Sequence, residues 1–361
     1  MTTTLVLQSP RLRDLAADAA LRVISREVAP VQVLAATTDP ERTTRLTGLP
    51  AIRATRAAVL RALPVADHLV VLGGQPFRSG SRDAEAPLSS SLYALSAAFR
   101  AGGKRVALIG VGAEPLSGRA AHRARRLTTG SALTVLDSDA SAQALLAAGV
   151  PAPVRVGADP AWLDLQEPPA WRGAGIARAL VGRGDHPPMT LLASAARELG
   201  GLVVQARRGG AAAGADLDAC HEVVQVLATQ GVRAGVAAPA PTLRAQRDDL
   251  AGAGVALCGD VATTMAAAAG GVPLVTWPGD RPSAELASRL GYPVAVDDAT
   301  PLQAAHDAAG RVQAAVRHEV ATAGEATDLL RLLLTEAAEP VPPRPDRVPH
   351  RRALRPTGVM R

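Results

Sequence analysis

Lysine and asparagine are almost missing from this chain. Lys104 is the sole lysine among 361 residues, and no asparagine occurs. Both follow from coding bias in a GC-rich genome and point to no chemistry. Aromatic residues make up only 2%, so any core must be built from Ala, Leu and Val, whose small side chains let helices lie close to a sheet. Two cysteines, Cys220 and Cys258, are too few for a disulfide framework and lack a zinc spacing. They read as small buried hydrophobes in a reducing compartment. No apolar run is long enough to span a bilayer; the least polar stretch, Val261 to Val275, is Ala/Gly-rich and interrupted by proline. The N-terminus, MTTTLVLQSPRLRD, lacks a basic segment followed by a long apolar one. No signal peptide is expected, and the expected location is the cytoplasm. No metal and no cofactor is expected either.

What is present is apolar material for two cores. Apolar residues account for 48% of the chain, and its length suits two domains of ordinary size. The net charge is +6, but Pro340 to Arg361 holds six Arg against one Asp, a net of +5. The body of the chain is therefore close to neutral, and the basic character belongs to a tail. That tail, 339–361, is rich in proline and poor in apolar residues, so it is expected to be disordered. Its charge suits weak, salt-sensitive contact with an anionic inner membrane leaflet, or no partner at all. No specific nucleic-acid partner is expected.

Short Val/Leu runs alternate with longer Ala/Leu/Arg segments of helical period. This rhythm predicts parallel sheets with helices on both faces. In the first half, strands are expected at Thr4–Leu7, Val31–Ala35, His68–Leu72, Arg105–Ile109, Leu133–Leu136 and Val154–Val156. Helices are expected at Arg13–Arg26, Ile52–Leu63, Ser89–Ala101, Arg119–Thr128 and Ala140–Ala148. Gln166 to Arg172, with Pro168-Pro169, reads as a linker. In the second half, strands are expected at Ala179–Val181, Leu202–Gln205, Val232–Val236, Val255–Leu257, Leu274–Thr276 and Val294–Val296. Helices are expected at Met189–Leu199, Leu217–Gln230, Thr242–Ala251, Thr263–Ala269 and Ala284–Leu290. Two more, Pro301–Thr322 and Gly324–Ala337, close the chain. The expected architecture is α/β, with two doubly wound Rossmann-like domains, 1–165 and 173–338, facing a cleft.

Open α/β sheets bind ligands at the carboxyl ends of their strands, and paired sheets place the site between domains. The candidates are therefore Gly73, Gly74, Gln75, Gly110, Gly112, Arg183, Arg207, Arg208, Gly259, Thr263 and Thr264. Arg183 is an anion clamp or an exposed loop arginine. Arg207 and Arg208 are a second clamp or a solvated pair. The glycines give a ligand backbone room or serve turns needing positive φ. Asp159, before Pro160, orients an acceptor hydroxyl or caps a helix. His122, His186 and His221 carry no motif.

Several stretches resemble the polysaccharide pyruvyl transferase family. They are HLVVLGGQPF, SSSLYALSAAFRAGGKRVALIGVGAEPL, TVLDSDASAQALLAAGV, VRVGADPAWLDL and GVALCGDVATTMAAAAGGVPLVTW. The resemblance implies a two-domain, glycosyltransferase-B-like fold. It also implies transfer of the enolpyruvyl group of phosphoenolpyruvate to a cell-wall or exopolysaccharide sugar. Arginine forks would hold such a donor, with Gly73, Gly74 and Gln75 on the acceptor side. This sequence departs from the family's donor motifs. Asp260 stands at the family's Arg and Ala262 at its His. Asp137 and Ser138 stand where the family has Arg-Asp, while Ser141 is kept. Of the family's N-terminal G-N-x-G-D loop, only Asp18 has a counterpart. An anion at 260 would repel phosphoenolpyruvate. The departures leave open a relative that keeps the fold as a binding or scaffolding protein. The stretch Cys258 to Pro278 also resembles the nucleotide-sugar site of two-domain glycosyltransferases. There Thr263 and Thr264 fit a diphosphate-binding helix start, while Cys258 and Ala266 replace a His and a Glu. A nucleotide-sugar glycosyltransferase is thus a third reading.

Overall fold

The computed structural model describes residues 2–8, 15–77, 87–151, 154–166, 171, 175–207, 213–277, 281–295 and 302–336. The basic tail, the Pro168-Pro169 part of the linker, Arg208 and Val296 lie outside them.

Two parallel sheets carry the fold. The first holds β1 (Thr3–Gln8), β2 (Gln32–Thr37), β3 (Ala51–Arg53), β4 (His68–Leu72), β5 (Arg105–Val111), β6 (Leu133–Leu136) and β7 (Arg155–Val156), in the order β3-β2-β1-β4-β5-β6-β7. The second holds β8 (Ala177–Val181), β9 (Leu202–Ala206), β10 (Ala234–Ala237), β11 (Val255–Cys258) and β12 (Leu274–Thr276), in the order β10-β9-β8-β11-β12. Strand order reverses beside β1 and beside β8, which opens a crevice at the carboxyl edge of each sheet. Central strands such as HLVVL are buried at every position, as expected of a parallel sheet covered on both faces.

The helices between strands start where the sequence supplies caps. α2 (Pro40–Thr47) begins at Asp39, whose carboxylate accepts from Arg42 N–H, and stops at Gly48 in the left-handed region. α6 (Asp139–Ala147) is capped by Ser138, and α10 (Val261–Ala269) by Asp260. α1 (Leu15–Glu27) follows β1 and is buried along most of its length.

One apolar cluster runs through both halves. It joins Leu21 and Ile24 of α1 and Trp162 to Met265 and Ala266–Ala269 of α10. Trp162 sits in a 3-10 helix, Pro160–Leu165, that packs on α1 and on α9 (Leu243–Leu250). Alanines on α10 let it approach the seam closely. Arg22 and Arg244 both reach Asp164, at 2.8 and 3.7 Å, and tie the two halves at the seam's rim. The last helix, α13 (Gln313–Thr335), returns to the first sheet. It packs on β5, β6 and the 3-10 helix, and Arg105 Nη1 donates to Leu333 O at 2.9 Å.

The expected segment Ile52–Leu63 divides into β3 and α3 (Arg56–Ala62), because Thr55 caps a new helix there. The last break falls between α12 (Leu302–Ala309) and α13, at Gly310, while Gly324 lies inside α13. Of the strand expected at 294–296, the described part holds one bridge, Thr276 to Val294. Among the described residues, no helix is long and apolar enough to cross a membrane.

Candidate functional site

The first sheet offers two glycine turns at its carboxyl edge. Gly73 (φ 63°) and Gly74 (φ 72°) follow β4 in the left-handed region that favours glycine. Gly73 N–H donates to Ile109 O at 2.8 Å, and Gly112 N–H to Gly74 O at 2.7 Å. These bonds join the two turns into one floor, with Gln75 beside it. A Cβ on Gly112 would lie 2.7 Å from Asp137 Oδ2 and 3.0 Å from Gln75 Cγ. Gly112 is therefore bare because the Asp137 carboxylate occupies the space above it. Gly110 lies against Pro160 and Asp159 in the same way.

Asp137 follows β6 and is held firmly. Its Oδ1 accepts from Ser141 Oγ at 2.7 Å and Ser138 Oγ at 2.9 Å. Ser141 Oγ accepts from Ala113 N–H at 2.9 Å. Burial raises the Asp137 pKa, against the two serine bonds and the nearby Arg289 charge. Asp159 caps the 3-10 helix, its Oδ1 accepting from Ala161 N–H at 2.9 Å. Burial pushes it up to about 6, and the charges of Asp137 and Glu319 act in the same direction.

Arg289 of α11 (Arg281–Leu290) closes this group from the second half. Its Nε and Nη2 donate to Glu319 at 2.8 and 3.1 Å, a two-point fork. Its Nη1 donates to Asp137 O at 3.1 Å. Glu319 is buried, which raises its pKa, while Arg289 opposes the rise.

The second sheet presents the loop after β8. Arg183 is exposed there. Its backbone N–H donates to Asp216 Oδ1 at 2.8 Å, and Gly182 N–H donates to Asp185 Oδ2 at 2.8 Å. Asp216, on α8 (Ala213–Thr229), is fully buried. Arg207 lies over Gly182 and pairs with Asp185 at 3.4 Å. Burial raises the Asp185 pKa, and Arg207 lowers it. Gly259 lies beneath the Trp277 indole.

Thr263 and Thr264 are fully buried. Thr263 N–H and Oγ1 donate to the two carboxylate oxygens of Asp260, at 3.0 and 2.7 Å. Thr264 Oγ1 donates to Asp260 O at 2.8 Å and meets Ser283 Oγ at 2.8 Å. The α10 N-terminus thus holds an anion from its own chain. Ala262 is buried as well. Asp18 is buried and pairs with Arg42 at 2.8 Å. His122, His186 and His221 are exposed.

The structure therefore brings Gly73, Gly74, Gln75, Gly110 and Gly112 together. It gathers Arg183, Arg207, Gly259, Thr263 and Thr264 at the carboxyl edge of the other sheet. Sequence reasoning missed Arg289 and Glu319. They lie 30 residues apart on two helices, so no local motif marks them. Asp185 and Asp216 were also missed, although an acid two residues after Arg183 was a visible hint. Among the described residues, no group of His, Cys, Asp and Glu could hold a metal.

No protein-family model matches the chain, and no curated protein sequence matches it. Solved structures match along nearly the whole chain. The UDP-GlcNAc 2-epimerase of Neisseria meningitidis bound to UDP-GlcNAc is 13% identical, with a TM-score of 0.56 over 93% of this chain and 100% of that one. A glycosyltransferase from Rickettsia africae is 10% identical, with a TM-score of 0.58 over 93% and 99%. Anabaena HepE in complex with UDP-glucose is 12% identical, with a TM-score of 0.55 over 92% and 95%. The chain has the two-domain, glycosyltransferase-B-like fold of these proteins.

Proposed function

We propose that the chain binds a nucleotide-linked sugar between its domains and transfers the sugar to an acceptor hydroxyl. The observation that carries this reading is the end-to-end match, through both domains, to structures holding UDP-GlcNAc or UDP-glucose. The exposed Arg183, on a loop fixed by Asp216 and Asp185, is the group offered to a diphosphate. Gly73, Gly74 and Gln75 offer a floor to the acceptor, with Gly112 beneath the Asp137 carboxylate beside them. Arg207 stands at the donor side of the same edge, while Thr263 and Thr264, fully buried, and Gly259, under the Trp277 indole, support that edge from beneath.

Pyruvyl transfer from phosphoenolpyruvate is the weaker reading. Asp260 and Ala262 stand where that chemistry wants a cation and a proton donor, and both are buried. A saccharide acceptor is common to the two readings. Thermal shift and calorimetry with UDP, GDP, UDP-GlcNAc, UDP-glucose and phosphoenolpyruvate separate them. A response to a nucleotide and none to phosphoenolpyruvate is the expected result. The reverse pattern refutes the nucleotide-sugar reading. Silence toward all five points to a relative that keeps the fold as a binding or scaffolding protein.

A further inference from the structure

The Asp137 side chain is held more firmly than its turn requires. Ser138, not Asp137, caps α6, accepting from Ser141 N–H at 3.2 Å. Asp137 Oδ1 is fixed by Ser138 and Ser141, and Ser141 is fixed in turn by Ala113 N–H. No described residue donates to Oδ2. That oxygen lies above bare Gly112, next to Gln75, on the glycine floor. One carboxylate oxygen is anchored and the other is left without a donor among the described residues, on a half-buried side chain at the carboxyl edge of the sheet, where open α/β sheets bind ligands.

Resting on the nucleotide-sugar reading above, we propose that Asp137 is the catalytic base that takes the proton of the acceptor hydroxyl. As the acceptor oxygen bonds to the anomeric carbon, the bond from that carbon to the diphosphate oxygen breaks. The nucleoside diphosphate leaves with the electron pair. The acceptor proton passes to Asp137 Oδ2 and then to water. When no saccharide is bound, water takes the acceptor's place and the donor is hydrolysed. The charged groups facing Asp137 are Arg289 and Glu285 of α11, Glu319 of α13, and Asp159 before the 3-10 helix. Burial and the acids strengthen its hold on a proton, while Arg289 and the two serine bonds oppose them. A base with raised proton affinity is more effective near neutral pH.

The test uses the full chain with UDP-GlcNAc and UDP-glucose, in water and with a panel of free sugars. UDP release gives turnover, and calorimetry with UDP gives binding. Asp137→Asn is expected to bind UDP within about twofold of the unaltered protein and to lose at least about 100-fold in UDP release. Asp137→Asn also removes the acidic limb of the rate-against-pH curve. Ser141→Ala guards against a misfolded variant. It removes a bond that lowers the Asp137 pKa, so the acidic limb moves to higher pH while turnover persists. Unchanged release by Asp137→Asn overturns the role of Asp137 and leaves the nucleotide-sugar reading standing. UDP binding by the unaltered protein with no release from either donor also overturns it. Absence of UDP binding by the unaltered protein overturns a UDP-sugar donor, and the base with it.

Discussion

Replacing Asp159 by Asn should stabilise the protein at neutral and alkaline pH but not in acid. Burial raises the Asp159 carboxyl from 3.8 to about 6. A raised carboxyl pKa means that the folded state holds the proton more tightly than the unfolded state does. Its contribution is fully present below about pH 3.8 and is lost as pH rises through about 6. At pH 8 the folded chain therefore carries the whole cost of a buried charge. A rise of that size corresponds to about 3 kcal/mol, as an upper bound. Asn keeps the cap, because its Oδ1 can accept from Ala161 N–H as Asp159 Oδ1 does. It removes the charge that Asp137 and Glu319 repel. With an unfolding entropy of about 2.1 cal/mol/K per residue, about 3 kcal/mol raises the melting temperature of 361 residues by about 4 °C. The gain should shrink below about 1 kcal/mol at pH 4. Melting and denaturant titrations of both proteins from pH 4 to 8 measure it. A gain of equal size at both ends, or a loss at pH 8, would refute the reasoning.

Arg289→Ala should destabilise the protein by up to about 3 kcal/mol, because it leaves the Glu319 carboxylate buried without its fork; denaturant titration at pH 8 reads the loss, and no loss would mean that water replaces the guanidinium. Glu319→Gln should cost less at pH 8, since it removes the buried charge along with the pair. It should also shift the Asp159 titration downward, which an NMR pH titration of the carboxyl carbons detects.

The sheets were legible because most strands carry an apolar, largely buried middle. HLVVL and LVT match β4 and β12 at both ends. α2 and β3 escaped for the opposite reason. The helix PERTTRLT buries only Thr43, and AIR is three residues long. No periodicity can mark segments of that kind. For Asp159, capping and acceptor binding were both open from sequence; the carboxylate caps the 3-10 helix. Strand ends pointed to the glycine floor and to Arg183. The carboxylates around them could not be read locally. Asp137, Asp159 and Glu319 meet only because α13 crosses back to the first sheet, and Arg289 reaches them from another helix. The return of α13 rests on the Val316, Ala323 and Leu330 face, which looks like any other amphipathic helix in the sequence.

The start of α10 is already filled by an anion of this chain. A helix start offers free N–H groups and a positive dipole end, and it attracts anions. Here Asp260 takes that place, bonded to Thr263 N–H and Thr263 Oγ1. A ligand phosphate about 6 Å from that carboxylate would be repelled by about 3 kcal/mol at an effective dielectric of about 20. Arg183 offers an exposed cation on the loop that Asp216 and Asp185 fix. Asp260→Ser separates the two effects. Serine caps a helix about as well as aspartate does, so stability should change by less than about 1 kcal/mol. The charge is gone, so the affinity for UDP should rise by tenfold or more, on the order of 1.4 kcal/mol. Arg183→Ala should lower that affinity in both backgrounds. Calorimetry with UDP on the four proteins settles the matter. If Asp260→Ser leaves UDP affinity unchanged while Arg183→Ala lowers it, the phosphates lie beyond reach of Asp260, and its carboxylate serves the helix alone.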